Sequence, residues 1–358
     1  MYTDAEKRQI MEKVKLSRKE DLLRTVRGED PESVQIIAFG WDDYVGGGSY
    51  RIVGPSLYDE SHLIGIPNGY VDSWGVKYEC NRSTNYAAIP APGSALITCD
   101  DLDHWRDIIK VPEVPKDIDW DLMARKDWER SKIDHNESAA CAIIGIMPFQ
   151  ELIGIMGFEE CFMAFYEEPE AIHEIIDEIE KIYVEIGKNA VDHYTIDYVY
   201  LCDDTASAMA PFISKDMYDE FMLPLYKAIT KPYVERGIPL QFHNCGNYTI
   251  FLDEMKNFGV KVWDPAQTMN DVIGLQKKYG REFLLAGAFD WTPPLDLSGI
   301  TREFTDEMIH NYVDKMTENA PFFASAGCFG LMDDPDVQRV NSWMAEELFY
   351  YTRAYYTR

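Results

Sequence analysis

A chain of 358 residues with 46% hydrophobic and 13% aromatic side chains carries enough apolar surface for a large core, which excludes disorder and suits one large α/β barrel or two ordinary domains. Its 34 basic against 62 acidic residues give a net charge of -28, which excludes nucleic acid and anionic membrane surfaces as partners, because both would repel it. There is no run of about 18 apolar residues, no basic-then-apolar start, and only seven scattered cysteines, so neither a membrane span nor a signal peptide is expected and a reducing cytoplasm fits best.

Residues 4–27 show a charged helical pattern with Ile10, Val14, Leu22, Leu23 and Val26 as its apolar face, ended by Arg27-Gly28-Glu29-Asp30-Pro31. A first strand is predicted over 33–41, running into a polar, glycine-rich stretch over 42–49. That stretch lacks the G-x-G-x-x-G spacing and the following helix of a nucleotide cradle. Gly, Pro, Tyr and Ser dominate 46–98, with short strands predicted at 63–66 and 74–78. This segment is expected to be a hairpin-bearing excursion over one mouth of a barrel. A short helix over 101–109 and a proline-spaced linker over 112–119 follow.

From there strands and helices alternate. Strands are predicted at 139–147, 197–201, 239–243, 261–263, 283–286 and 322–325. Between and after them come helices at 150–194 (one long helix or a pair), 214–236, 248–258, 271–279, 302–317 and 335–352. This alternation implies a parallel sheet. With the first strand it gives about seven strands and one missed, so the fold class is α/β, a (β/α)8 TIM barrel with an N-terminal helical and hairpin extension. The whole of 1–358 is expected to be one domain, in which 1–130 supplies the extension and first strand and 131–358 the main barrel units.

In such barrels the reacting groups stand at the C-terminal ends of strands. Reading only those ends gives Asp203 and Asp204, His243 and Cys245, Asp264, Asp290, and Cys328. His243 and Cys245 are two apart on a predicted strand, so both point to one face and can reach one ion. Cys328 closes a second apolar strand and offers a third soft ligand. One His and two Cys with an open fourth position is a catalytic type of zinc set. Each residue taken alone also fits a blander role: a core histidine, a small buried thiol, or an Asp203-Asp204 pair capping the next turn.

The run Phe212-Ile213-Ser214-Lys215-Asp216-Met217-Tyr218-Asp219-Glu220-Phe221 with Leu223-Pro224 resembles the uroporphyrinogen decarboxylase-like barrels. So do Trp74-Gly75-Val76-Lys77-Tyr78-Glu79 and Leu22-Leu23-Arg24-Thr25-Val26-Arg27-Gly28-Glu29, and the likeness runs from about residue 16 to 350. The porphyrin decarboxylases carry an arginine-rich motif after the first strand. Here Trp41-Asp42-Asp43-Tyr44-Val45-Gly46 stands there without arginines, and a substrate bearing many carboxylates would need such donors. The zinc-dependent corrinoid methyltransferases of the same superfamily are marked by His-x-Cys and a distant Cys. His243 and Cys245, with Cys328 83 positions further on, match that pattern.

The resemblance implies Zn2+ on these three residues, with Asp203, Asp204 or Glu79 as fourth ligand or proton donor. It implies methyl transfer between a small-molecule donor and a corrinoid carried by a partner protein. A phenolic (aryl) methyl ether is the favoured donor, because the aromatic-rich N-terminal excursion offers the wall of an aryl pocket; a leaving phenoxide would gain from a nearby acid or metal. The opposite direction, from methylcorrinoid to a thiol of the coenzyme M type, is the runner-up. A metal-free decarboxylase and a non-catalytic corrinoid- or metal-binding protein are further alternatives, and a homodimer is compatible with all of them.

Overall fold

Runs of Val, Ile, Leu, Tyr and Cys with no polar alternation form strands that must be covered on both faces, as in parallel sheets flanked by helices. The computed structural model describes residues 2–37, 48–57, 69–144, 147–289 and 291–357. Its strands in chain order are β1 (Gln35–Ile36), β2 (Tyr50–Gly54), β3 (Tyr70–Val71), β4 (Lys77–Glu79), β5 (Ile89–Pro90), β6 (Ala139–Ile144), β7 (Tyr198–Cys202), β8 (Leu240–His243), β9 (Val260–Asp264), β10 (Leu284–Leu285) and β11 (Phe323–Ala324). Every residue of β6 and β7 is buried. Setting aside the antiparallel trio β3–β4–β5, the described residues contain eight strands, and β2 is the one that the sequence pattern did not reveal.

The chain divides into two compact units. The first joins residues 1–53, 131–141 and 260–358; the second joins 54–130 and 142–259. In the first, β1 pairs parallel with β11 and β10 pairs parallel with β9. A parallel bridge from Ala286 to Phe323 joins these two pairs. On the far side of β1, the Ser49 amide donates to the Ile36 carbonyl at 3.2 Å, and the Ala139 amide donates to the Ser49 carbonyl at 3.2 Å. In the second unit β7 and β8 pair parallel in the register Val199 with Leu240 through Cys202 with His243. The β3–β4–β5 hairpins also lie in this unit.

Helices follow the strands as the periodicity predicts, with three local differences. The span 150–194 is three helices, Pro148–Met156, Phe158–Glu167 and Pro169–His193. Gly157 breaks the first junction at φ +82°, and Pro169 disfavours helical backbone at Glu168 before it. The helix over 214–236 contains a π-helical turn at Tyr218–Met222 just ahead of Pro224, where proline has no N–H for the usual i→i−4 bond. A helix at Trp120–Ser131 follows the linker, started by Asp119, whose side chain accepts from the Leu122 amide at 2.9 Å.

The long helix Pro169–His193 buries Ile172, Ile175, Ile176, Ile179, Ile182, Tyr183 and Ile186, spaced three and four apart so that one stripe faces inward. Each such side chain contributes on the order of 1.5–3 kcal/mol by leaving water. Gly187 lets the helix approach Leu223–Val234: a Cβ there would sit 3.2 Å from Pro232 and 3.3 Å from Tyr233. Among the described residues no helix is long and apolar enough to cross a membrane. The predicted strand at 63–66, the glycine run over 42–47, the stretch Trp41–Gly46, and Asp290 lie outside the described residues.

Candidate metal centre

The register of β7 and β8 sets the site. Cys202 pairs with His243, and one step further the Asp203 amide donates to the His243 carbonyl at 2.9 Å. The ladder then ends, and the two strands release Asp203-Asp204 and Asn244-Cys245 side by side. Asn244, fully buried, ties the two turns together: its Oδ1 accepts from the Thr205 amide at 3.1 Å and the Thr205 hydroxyl at 3.3 Å.

Adjacent residues at a strand end point to opposite sides, and the two aspartates divide accordingly. Asp203 is fully buried. Its Oδ2 accepts from the Tyr226 hydroxyl at 2.6 Å and the Phe149 amide at 2.9 Å, and its Oδ1 from the Asp204 amide at 2.9 Å. Burial pushes its carboxyl up to about 7, against the pull of these hydrogen bonds. Phe149 stands in the first turn of Pro148–Met156, where unpaired amides favour a carboxylate. Asp203 is thus a strut under the site.

Asp204 turns the other way. Its Oδ1 accepts from the Cys245 amide at 2.7 Å and lies 3.9 Å from His243 Nε2. Cys245 Sγ is 3.4 Å from the same Nε2. One ligand atom from each of Asp204, His243 and Cys245 falls within 4.8 Å of the others, with all three residues half-buried. The Gln150 amide group holds the Asp204 carbonyl at 2.6 Å. Burial raises the Cys245 thiol, opposed by its hydrogen bond with His243; a bound cation would reverse that and favour thiolate.

Zinc at about 2.1 Å from nitrogen and about 2.3 Å from sulfur, in tetrahedral array, sets its N and S donors about 3.6 Å apart. The observed 3.4 Å between Nε2 and Sγ fits that spacing, and the 3.9 Å to Asp204 is a little wide. Sulfur with imidazole and one carboxylate suits zinc better than magnesium or calcium, which take oxygen. The residues present fit the ion that the sequence implies.

The other expected residues come from other elements. Cys328 belongs to the first unit, beyond β11, and is buried. Its amide donates to Asn341 Oδ1 at 2.6 Å and its carbonyl accepts from Asn341 Nδ2 at 3.1 Å, and burial raises its thiol. Asp264 ends β9 in the same unit and is also buried. Glu79 ends β4 in the hairpin sheet, opposite Ile89, and so does not stand at the end of a parallel strand.

Sequence reasoning missed Tyr200, whose hydroxyl is 3.1 Å from His243 Nδ1, and Tyr226 beneath Asp203. Tyr200 was findable in principle: it shares a strand face with Cys202, which pairs with His243. Tyr226 comes from a following helix and left no pattern in the sequence.

The family model for uroporphyrinogen decarboxylase (URO-D) matches residues 134–345. No curated protein matches the chain. Of the solved structures, seventeen chains match. One is a methyltransferase from Methanosarcina mazei, 14% identical, with 94% of this chain and 100% of that chain covered at a TM-score of 0.56. At that identity the likeness is one of fold, and it agrees with the strand–helix order found here. The family model spans more than half of the 358 residues, and the chain belongs to the uroporphyrinogen decarboxylase family.

Proposed function

We propose that this protein is a zinc-dependent methyltransferase working with a separate corrinoid protein, and that it moves a methyl group from a small molecule, an aryl methyl ether by preference. The observation that carries the reading is the Asp204, His243 and Cys245 cluster at the paired ends of β7 and β8. His243 and Cys245 are the proposed ligands, with Cys328 as the second thiolate that the sequence motif implies. Asp204 is proposed as the further ligand or as the group that holds the proton of a leaving oxygen or an entering thiol. A zinc ion bound by such electron-rich donors supplies mild Lewis acidity, suited to a thiolate or a departing oxygen.

The chain's own residues supply the rest. Asp203, Gln150 and Asn244 fix the two turns, so that Asp204 and Cys245 meet His243 with no reorganisation when substrate arrives. Support also comes from the family, from the methyltransferase among the matching structures, and from a donor set rich in sulfur and nitrogen. The negative charge of -28 favours a partner protein with a basic docking face.

The test is zinc content of the purified protein beside His243→Ala and Cys245→Ala, followed by methyl transfer to a reduced corrinoid protein from a panel of aryl methyl ethers and thiols. About one zinc per chain, lost in both variants with the fold intact, is expected of a site built on these ligands. Wild-type protein that stays zinc-free after metal-replete expression sinks the proposal and returns the metal-free decarboxylase to first place.

A further inference from the structure

An imidazole has two nitrogens but, when neutral, a single N–H proton, and the nitrogen that carries the proton cannot also bind a metal. His243 Nε2 faces Cys245 Sγ at 3.4 Å and Asp204 Oδ1 at 3.9 Å. Its Nδ1 faces the hydroxyl of Tyr200 at 3.1 Å. If Tyr200 donates to Nδ1, the proton sits on Nε2 and blocks the cluster. If Tyr200 accepts from Nδ1–H, the Nε2 lone pair is directed at the cluster.

We infer that Tyr200 is a positioning residue, whose hydroxyl oxygen accepts from His243 Nδ1–H and so selects the tautomer that presents Nε2 to a metal ion. Three observations beyond the hydrogen bond carry this. Tyr200 is 1% exposed, so its hydroxyl is held in place and bulk water does not compete for the bond. Its ring meets the imidazole edge-on, with centroids 6.2 Å apart and planes at 88°, which constrains the imidazole plane. Both residues belong to the paired strands β7 and β8, so their relation is set by the sheet and not by a loop. A phenol also accepts more weakly than a carboxylate, so it orients the imidazole without drawing the proton fully away.

The inference rests on the zinc reading of the site, and the test separates the two. Zinc affinity is measured by competition with a chromophoric chelator for wild type and Tyr200→Phe, beside thermal melts of both. The imidazole nitrogens of metal-free wild type are assigned by 15N NMR. Tyr200→Phe keeps the ring and its edge contact and loses only the hydroxyl. It is expected to weaken zinc binding by about 10- to 100-fold, the usual effect of removing the partner that orients a metal-bound histidine. His243 in metal-free wild type is expected to carry its proton on Nδ1 already, before any ion is bound.

Affinity unchanged to within about twofold in a folded Tyr200→Phe overturns the inference and leaves the zinc reading standing, and so does a proton found on Nε2. If Tyr200→Phe fails to fold, the wild-type nitrogen assignment decides alone. Wild-type protein that takes up no zinc overturns this inference together with the proposed function.

Discussion

Asp203 and Asp204 are neighbours of one chemical kind with opposite duties, and the difference lies in what each meets. Among the described residues no cation pairs with Asp203, which accepts three hydrogen bonds, the shortest from Tyr226 at 2.6 Å. Tyr226→Phe removes that donor from a fully buried carboxyl while keeping the ring. It is expected to cost about 1–3 kcal/mol, the penalty for a buried acceptor left short of a partner. Urea unfolding of the variant checks this, and an unchanged midpoint would show that Asp203 is satisfied without Tyr226. Asp204→Asn keeps the side-chain oxygen that receives the Cys245 amide and removes the charge, so the fold should hold while zinc binding weakens by at least about tenfold. Chelator competition reads that directly, and affinity equal to wild type would remove Asp204 from the ligand set. At this scale the sequence was informative about His243 and Cys245, because an alternating strand places i and i+2 on one face. It could not divide the aspartates, since both follow the last strand residue and only the helices packed behind decide which one is buried.

Gly246 shows how the element holds the side chain. It sits at φ +93°, and a Cβ there would lie 2.6 Å from the Ser207 carbonyl oxygen and 2.7 Å from that of Ala206. The turn after β8 therefore runs directly against the turn after β7, and the Asn247 amide donates to Ser207 at 2.8 Å. Gly246→Ala meets both backbone strain and a steric block, so about 1–3 kcal/mol of stability should be lost, and Cys245 should be displaced from His243. Gly75 offers the control, at φ +99° with nothing within 4 Å of a Cβ; Gly75→Ala should cost only the strain. Thermal melts of the two variants, with zinc affinity for the first, separate contact from strain, and equal losses would refute the close-approach argument. Glycine after a His-x-Cys strand was legible as a stop; that it lets two turns touch was not. The same limit governs the helices. The apolar periodicity marked 150–194 as one helix or a pair, but it did not show that Gly157 and Pro169 divide the span into three. β2 escaped because its run, Tyr50-Arg51-Ile52-Val53-Gly54, is short and follows a glycine-rich stretch.

The largest-scale features, strand–helix alternation and a strong excess of acid, were the most legible, because they are sums over many residues and tolerate local error. What no local pattern could show is how a unit assembled from residues 1–53, 131–141 and 260–358 fastens its distant segments. The first helix, Asp4–Lys13, buries none of its residues, so apolar packing does little to hold it. It is moored to the last long helix, Pro335–Arg353, by Lys7 to Glu346 and by the Tyr2 hydroxyl to Glu347, both at 2.7 Å, with Tyr2 and Lys7 also over the Tyr350 ring. Burial pushes the Glu346 carboxyl up, but hydrogen bonds from Lys7 and Arg302 outweigh it and hold it below its ordinary value. At Glu347 burial is likewise outweighed, by His310 and Tyr2. A carboxyl lowered in the folded state contributes stability above its ordinary value of 4.5 and loses it as pH falls through the lowered one. The mooring should therefore hold at neutral pH and weaken once pH drops below that value. Each partly exposed ion pair is worth only about 0.2–1 kcal/mol, so the helix should release before the unit unfolds. Hydrogen exchange at residues 4–13, compared between pH 7 and pH 3.5 after correction for intrinsic rates, should show protection lost there first. Glu346→Gln should bring the same loss at pH 7. Equal protection at the two pH values would mean that the helix is held by something other than these carboxylates.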